Sequence, residues 1–192
     1  GDWCACPDFC YWKAPLFELD GKTIGIIGFG SIGQKVAHIA ESFGMNVLFN
    51  SRSKKDTSDF KTAKQVALDY LLENSDFVSC HCPLTNETEN IINKENLNKM
   101  KKSAYLINTS RGPVVDEQAL ADALNSGKIA GAALDVLKAE PANPANPLLS
   151  AENCIITPHI AWAAKETRQR LLNILDKNIE SCINGNPQNK VN

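Results

Sequence analysis

The chain has 192 residues, 43% of them apolar and 22% charged, with 11 glycines and 9 prolines. At roughly 150 residues per domain this allows one well-buried domain, or one with a short appendage, but not two full domains. Twenty Lys and Arg against 22 Asp and Glu leave a formal charge of -2, so no global field draws the chain to nucleic acid or anionic lipid, and disorder is a poor fit.

No apolar run approaches the roughly 18 residues of a bilayer span, and the opening Gly-Asp-Trp-Cys-Ala-Cys-Pro-Asp has neither a basic nor an apolar targeting region. A cytosolic chain that binds no membrane is expected. The cysteines Cys4, Cys6, Cys10, Cys80, Cys82, Cys154 and Cys182 are odd in number and unevenly spread, which suits reduced thiols better than a disulfide framework. They lack the C-x2-C spacing of structural zinc, so no metal site is expected.

Residues 1–20 form an aromatic arm with Trp3, Phe9, Tyr11, Trp12 and Phe17, in which Pro7 and Pro15 break any helix. So much exposed aromatic surface needs either the domain body or a second subunit. Asp20-Gly21 reads as a turn and Thr23 to Ile27 as a buried strand. Ile32, Val36, Ile39 and Phe43 then make the stripe of an amphipathic helix that Gly44 ends.

The alternation continues. Asn46 to Phe49 reads as a strand, Ala63 to Leu72 as a helix, and Phe77 to Cys80 and Tyr105 to Ile107 as strands. A helix from about Asp116 to Asn125 stops at Gly127, the strands Ala130 to Leu134 and Ile155-Ile156 follow, and Lys165 to Asn184 reads as a closing helix. Six short apolar strands separated mostly by helices predict an α/β fold with a doubly wound parallel sheet covered on both faces.

Gly28-Phe29-Gly30-Ser31-Ile32-Gly33 fits G-x-G-x-x-G between the first strand and the first helix. Gly28 permits a tight turn, Gly30 lets backbone approach a pyrophosphate, and Gly33 lets helix pack on strand, while Ser31 and Ile32 open the helix whose N–H groups meet the anion. In that strand-turn-helix context the pattern points to a dinucleotide; a purely structural turn and a methyltransferase-like site are the rivals. An NAD site would carry an acidic residue near the end of the second strand. None stands in Asn46 to Lys55. Ser51 and Arg52, with Lys54 and Lys55 adding field, would instead suit a 2′-phosphate, which favours NADP(H) over NAD(H); a solvated basic turn is the alternative.

The segments 25–33, His-Cys-Pro-Leu-Thr (81–85), Ile-Asn-Thr-Ser-Arg-Gly (107–112), Ala-Leu-Asp-Val with Glu-Pro (133–136 and 140–141) and Thr-Pro-His-Ile-Ala-Trp (157–162) occur in order along the chain. Together they resemble the D-2-hydroxyacid dehydrogenase family, and the arm and the His-Ile-Ala-Trp-Ala-Ala-Lys-Glu stretch are most similar to its glycerate dehydrogenase, or hydroxypyruvate reductase, branch. The resemblance implies a Rossmann-type cofactor domain over 21–162 and a C-terminal helix and tail, 163–192, that belong to a substrate domain largely absent from this sequence. It implies reduction of a small 2-oxo acid, hydroxypyruvate or glyoxylate, with NAD(P)H in a homodimer. With the closing domain absent, the polypeptide alone is expected to bind the dinucleotide but turn over substrate feebly or not at all. A dinucleotide-sensing module of corepressor type and a scaffold with a relic site are the competing functions.

Three residues carry the implied chemistry. Arg111 follows a strand at the carboxyl edge of the sheet, and its planar fork suits the carboxylate and carbonyl of a 2-oxo acid. His159 follows another strand and can deliver the proton that a ketone needs as hydride arrives. The resemblance makes Glu140 its orienting partner, places Asp135 beside the nicotinamide and places Pro83, Thr88 and Thr109 in loops near the cofactor. Asp135 read alone could equally cap a turn. His38 falls on the polar side of the first helix, and His81 borders the cofactor-side loop without an evident acidic partner.

Overall fold

The computed structural model describes residues 1–191. Seven parallel strands form one sheet in the order β3-β2-β1-β4-β5-β6-β7, with β1 Thr23–Ile27, β2 Asn46–Asn50, β3 Lys64–Gln65, β4 Phe77–Cys80, β5 Tyr105–Asn108, β6 Gly131–Leu134 and β7 Cys154–Ile156. The helices are α1 Ser31–Ser42, α2 Leu68–Asn74, α3 Lys94–Lys99, α4 Glu117–Asn125 and α5 Lys165–Ile183. The order reverses direction between β1 and its neighbour β4, the switch point at which ligands bind in doubly wound sheets. The central strands β1, β4, β5 and β6 are short and mostly apolar because both faces of the sheet are covered there. On one face Ile24, Ile26, Val47 and Phe49 pack with Ala37 and Ala40 of α1. On the other, Val78, Leu106, Ala132 and Leu134 pack with Leu71, Leu97 and Leu120 of α2, α3 and α4.

Three expectations need correction. The span Ala63 to Leu72 is not one helix: Lys64 and Gln65 pair with Leu48 and Phe49 as a parallel edge strand, and the helix starts only at Leu68 after Ala67 in extended conformation. The sheet therefore has seven strands instead of six. In α1 the large apolar stripe mostly faces away from the sheet, and of its four residues only Val36 packs, partly buried, against the core. Gly33, Ala37 and Ala40 are its buried residues, and Ile32, Ile39 and Phe43 are exposed; the carbonyl of Gly28 lies too close for a Cβ at Gly33, so the helix docks by its small residues. The short α3, capped by the Asn93 side chain accepting from the Asn96 N–H, was not among the expected elements.

The glycine turns stand where expected, with Gly21, Gly44 and Gly127 at positive φ. No residue of α5 is buried. The arm 1–20 holds one short 3-10 turn, Trp3–Ala5, and its Trp3, Phe9, Trp12 and Phe17 are exposed. Among the described residues no helix is long and apolar enough to cross a membrane.

Candidate active site

Because every strand runs the same way, the segments that follow them open on a single edge of the sheet. This edge collects the Gly28 turn after β1, Ser51 to Lys55 after β2, His81 to Thr88 after β4, Arg111 after β5, Asp135 to Glu140 after β6 and His159 after β7. Two neighbouring groups result.

The first is a cleft of about 280 Å³ at the switch point. Of the residues expected to hold the cofactor, Gly28, Gly30, Ser51, Arg52, Pro83 and Thr88 line it; Ser31, Ile32, Gly33, Thr109 and Asp135 do not, nor does Lys54, whose neighbour Lys55 lines it instead. Gly28 has φ +96 and lies so close to the next loop that a Cβ would sit 2.6 Å from the Cys82 nitrogen. At Gly30 a Cβ would meet nothing within 4 Å, so the backbone there is open to a ligand. Gly30 is also the N-cap of α1 and offers no side-chain bond, which leaves the first-turn N–H groups for an anion. Phe29 fixes the turn from below: it is buried and stacks on Phe49 with ring centroids 3.7 Å apart. An open backbone cradle, an uncapped helix N-terminus and an adjoining cleft fit a pyrophosphate and its nucleoside.

The wall after β2 is held in place by side-chain hydrogen bonds. Asn50 ends the strand and turns its amide to the Val66 carbonyl, 3.0 Å away. Gln65 of β3 clamps the following loop, donating to the Ser51 and Ser53 carbonyls at 2.9 and 3.1 Å and accepting from the Lys55 N–H at 3.2 Å. Across the cleft, Glu87 pairs with Arg52 at 3.5 Å. Thr88 shapes that opposite loop, donating to the Pro83 carbonyl at 2.6 Å and accepting from the Thr85 N–H at 2.8 Å. His81 lines the cleft and bonds Ser79 Oγ through Nε2 at 2.8 Å, and burial pushes its pKa down, favouring the neutral ring. His38, exposed on α1, stacks on Phe60.

The second group centres on His159 and Glu140. His159 Nδ1 and Glu140 Oε2 are 2.7 Å apart, and Glu140 Oε1 accepts the Leu137 N–H at 3.0 Å. The His159 hydrogen bond, then that N–H, holds the Glu140 carboxyl below its usual pKa against the opposing pull of burial. An ionised carboxylate only accepts, so Nδ1 carries the proton and Nε2 is left for a substrate. Both side chains are partly open to solvent, at 42% and 38% of their surface. His159 stands at φ +52, held by its N–H donating to the Asp135 carbonyl at 2.8 Å.

Asp135 itself is buried and caps the loop that carries His159. It accepts from Thr157 Oγ1 at 2.5 Å and from the N–H groups of Ile160 and Ala161 at 2.9 and 2.8 Å. Arg111 makes no hydrogen bond to Glu140 or His159 among the described residues; its Nη1 donates to the Ser110 carbonyl at 2.7 Å and the side chain is exposed.

Sequence reading missed what sets Arg111 in place. Buried Asn108 accepts from Ser110 N–H and Oγ and donates to the Arg111 carbonyl at 2.9 Å, closing a tight turn. Gly112 then presses on the Leu137–Lys138 backbone, where a Cβ has no room, and so docks the Arg111 turn on the Glu140 segment. The Asn-Thr-Ser-Arg-Gly run held this signal in its asparagine and glycine. Glu87 and Gln65 were missed because nothing local marks them; only the fold brings them to the cleft.

Comparison with known proteins agrees with this geometry. Residues 9–161 match the family model described as the D-isomer specific 2-hydroxyacid dehydrogenase, NAD binding domain. A hydroxypyruvate reductase of Blautia hydrogenotrophica is 52% identical over 100% of this chain and 60% of its own length, and a glycerate dehydrogenase of Methylorubrum extorquens is 45% identical over 100% and 59%. The chain thus spans about three fifths of the length of these relatives. Among solved structures, an acyclic imino acid reductase in complex with NADPH and D-Arg superposes with TM-score 0.86 at 37% identity, over 100% of this chain and 61% of that one. A D-lactate dehydrogenase of Lactobacillus jensenii with NAD+ gives TM-score 0.86 at 31% identity, over 100% and 62%. The seven-stranded sheet, the glycine cradle at its switch point and these matches agree: the chain belongs to the D-isomer specific 2-hydroxyacid dehydrogenases and carries their NAD-binding domain.

Proposed function

We propose that this chain binds NADP(H) in preference to NAD(H) and supplies Arg111, Glu140 and His159 to the interconversion of a small 2-oxo acid, hydroxypyruvate or glyoxylate, with its D-2-hydroxy acid. The observation that carries the reading is the His159–Glu140 pair, standing on the same sheet edge as the cofactor cleft. The bound nicotinamide supplies or accepts the hydride. Glu140 orients the imidazole through Nδ1, and His159 Nε2 delivers a proton to the carbonyl oxygen or takes it back from the hydroxyl. Arg111 lies on the same edge with its guanidinium free of carboxylate partners among the described residues, ready to grip the acid's carboxylate.

The NADP(H) preference rests on the β2 exit, where Asn50 stands instead of a carboxylate and Ser51, Arg52 and Lys55 line the cleft. Names among the relatives, including hydroxypyruvate reductase and several glyoxylate reductases, support the substrate class. The free thiols and the lack of any membrane-crossing helix among the described residues fit work in the cytosol, and the outward apolar face of α1 fits a homodimer through the cofactor domain.

Oxidation of NADPH and NADH by hydroxypyruvate, followed in the intact enzyme and in His159→Asn, tests the reading. The expected result is a higher kcat/KM with NADPH, and a kcat lowered about a hundredfold or more by the substitution with NADPH binding unchanged. Equal use of NADH would overturn the cofactor preference, and undiminished turnover would overturn the role of His159.

A further inference from the structure

We propose that Glu87 is a specificity-determining residue for the cofactor, a carboxylate placed to oppose a 2′-phosphate at Arg52. It therefore moderates the NADP(H) preference that the β2 exit creates. The proposal rests on the NADP(H) reading above.

Glu87 and Arg52 line the same cleft from opposite walls and meet at 3.5 Å. Their side chains are 77% exposed for Arg52 and 71% for Glu87, so the pair is weak and a stronger anion displaces it readily. The walls themselves have little freedom. Gln65 holds the Ser51, Ser53 and Lys55 backbone on one side, and the Thr88 hydroxyl ties Pro83 to Thr85 on the other. A 2′-phosphate that takes Arg52 therefore leaves the Glu87 carboxylate close by, deprived of its partner and facing a group of charge near -2. Among the described residues no cation other than Arg52 lies within 4 Å of the Glu87 carboxylate, and Lys55 is the other cation lining the cleft.

A ribose 2′-hydroxyl meets none of this repulsion and can donate to the same carboxylate. Glu87 thus penalises NADP(H) selectively. For like charges a few ångströms beyond contact in a solvated cleft, the penalty corresponds to a threefold to tenfold change in affinity, on the order set by Coulomb attenuation in water, and it shrinks with added salt.

Fluorescence titrations of NADPH and NADH against the chain, Glu87→Gln and Arg52→Ala test this. Glu87→Gln is expected to tighten NADPH about threefold to tenfold at low salt, with NADH unchanged or weaker, and Arg52→Ala to weaken NADPH selectively. If Arg52→Ala weakens NADPH selectively but Glu87→Gln leaves it unchanged, or tightens both cofactors equally, the proposal fails and the NADP(H) reading stands. If Arg52→Ala fails to distinguish the two cofactors, the reading falls and takes the proposal with it.

Discussion

Asp135 is buried at 5% exposure, with its carboxylate filled by the Thr157 hydroxyl and the N–H groups of Ile160 and Ala161, while its carbonyl accepts the N–H of His159. The placement of His159 thus depends on a carboxylate that holds its loop. Burial pushes the Asp135 pKa up, but the Thr157 hydroxyl, then the two N–H groups and the nearby His159, pull it down by more, so it ends below its usual value. Such a group stabilises the fold at pH above the unfolded carboxyl's pKa, and the contribution is lost as pH falls through the lower folded one. Asp135→Asn keeps the shape but turns an NH2 toward an N–H or O–H donor. Urea unfolding is expected to show a loss of about 1–3 kcal/mol at neutral pH, narrowing as pH drops below the usual carboxyl range. An unchanged midpoint at neutral pH would show that the loop docks by other means.

Elements built from β-branched runs between glycines, such as β1 with its Gly28 turn, are legible in sequence because burial on both faces demands such residues. The edge strand β3 is not, since Lys64 and Gln65 are exposed and belong to the sheet only through backbone pairing with β2. Nor is the orientation of α1: large apolar residues suggest the core face, but close helix-to-sheet approach at the phosphate turn needs Gly33 and Ala37 there. The site shows the same division. Arg111, His159 and the glycines sit in contiguous motifs, whereas Gln65 reaches its partners across 10 to 14 residues. Because Gln65 makes three hydrogen bonds to the loop that carries Ser51 and Arg52, Gln65→Ala is expected to weaken NADPH several-fold, on the order of 1 kcal/mol. On the proposed placement of a 2′-phosphate at Arg52, NADH is expected to change less. Equal losses for both cofactors in paired titrations would show that β3 supports the cleft as a whole instead of the 2′-phosphate wall.

Over the described residues, large apolar side chains left outside the core gather on the arm 1–20 and on two helices. Ile32 and Ile39 of α1 and Phe43 at its C-terminal cap are 69%, 59% and 59% exposed, and Leu171, Leu172, Leu175, Ile179 and Ile183 of α5 are exposed as well. The helices differ in what holds them. α1 is docked on the sheet through Gly33, Ala37 and Ala40, so its outer face is rigid before any partner arrives and loses little entropy on association. α5 buries none of its residues and would have to be ordered as it binds. A homodimer is therefore expected to form on α1, with the exposed aromatic arm as a further apolar surface. In sedimentation equilibrium the chain is expected to dimerise, and Ile39→Glu with Phe43→Glu to yield monomers that still bind NADPH, since neither residue lines the cleft. If Leu172→Glu with Leu175→Glu dissociates the dimer and the α1 pair does not, self-association belongs to α5.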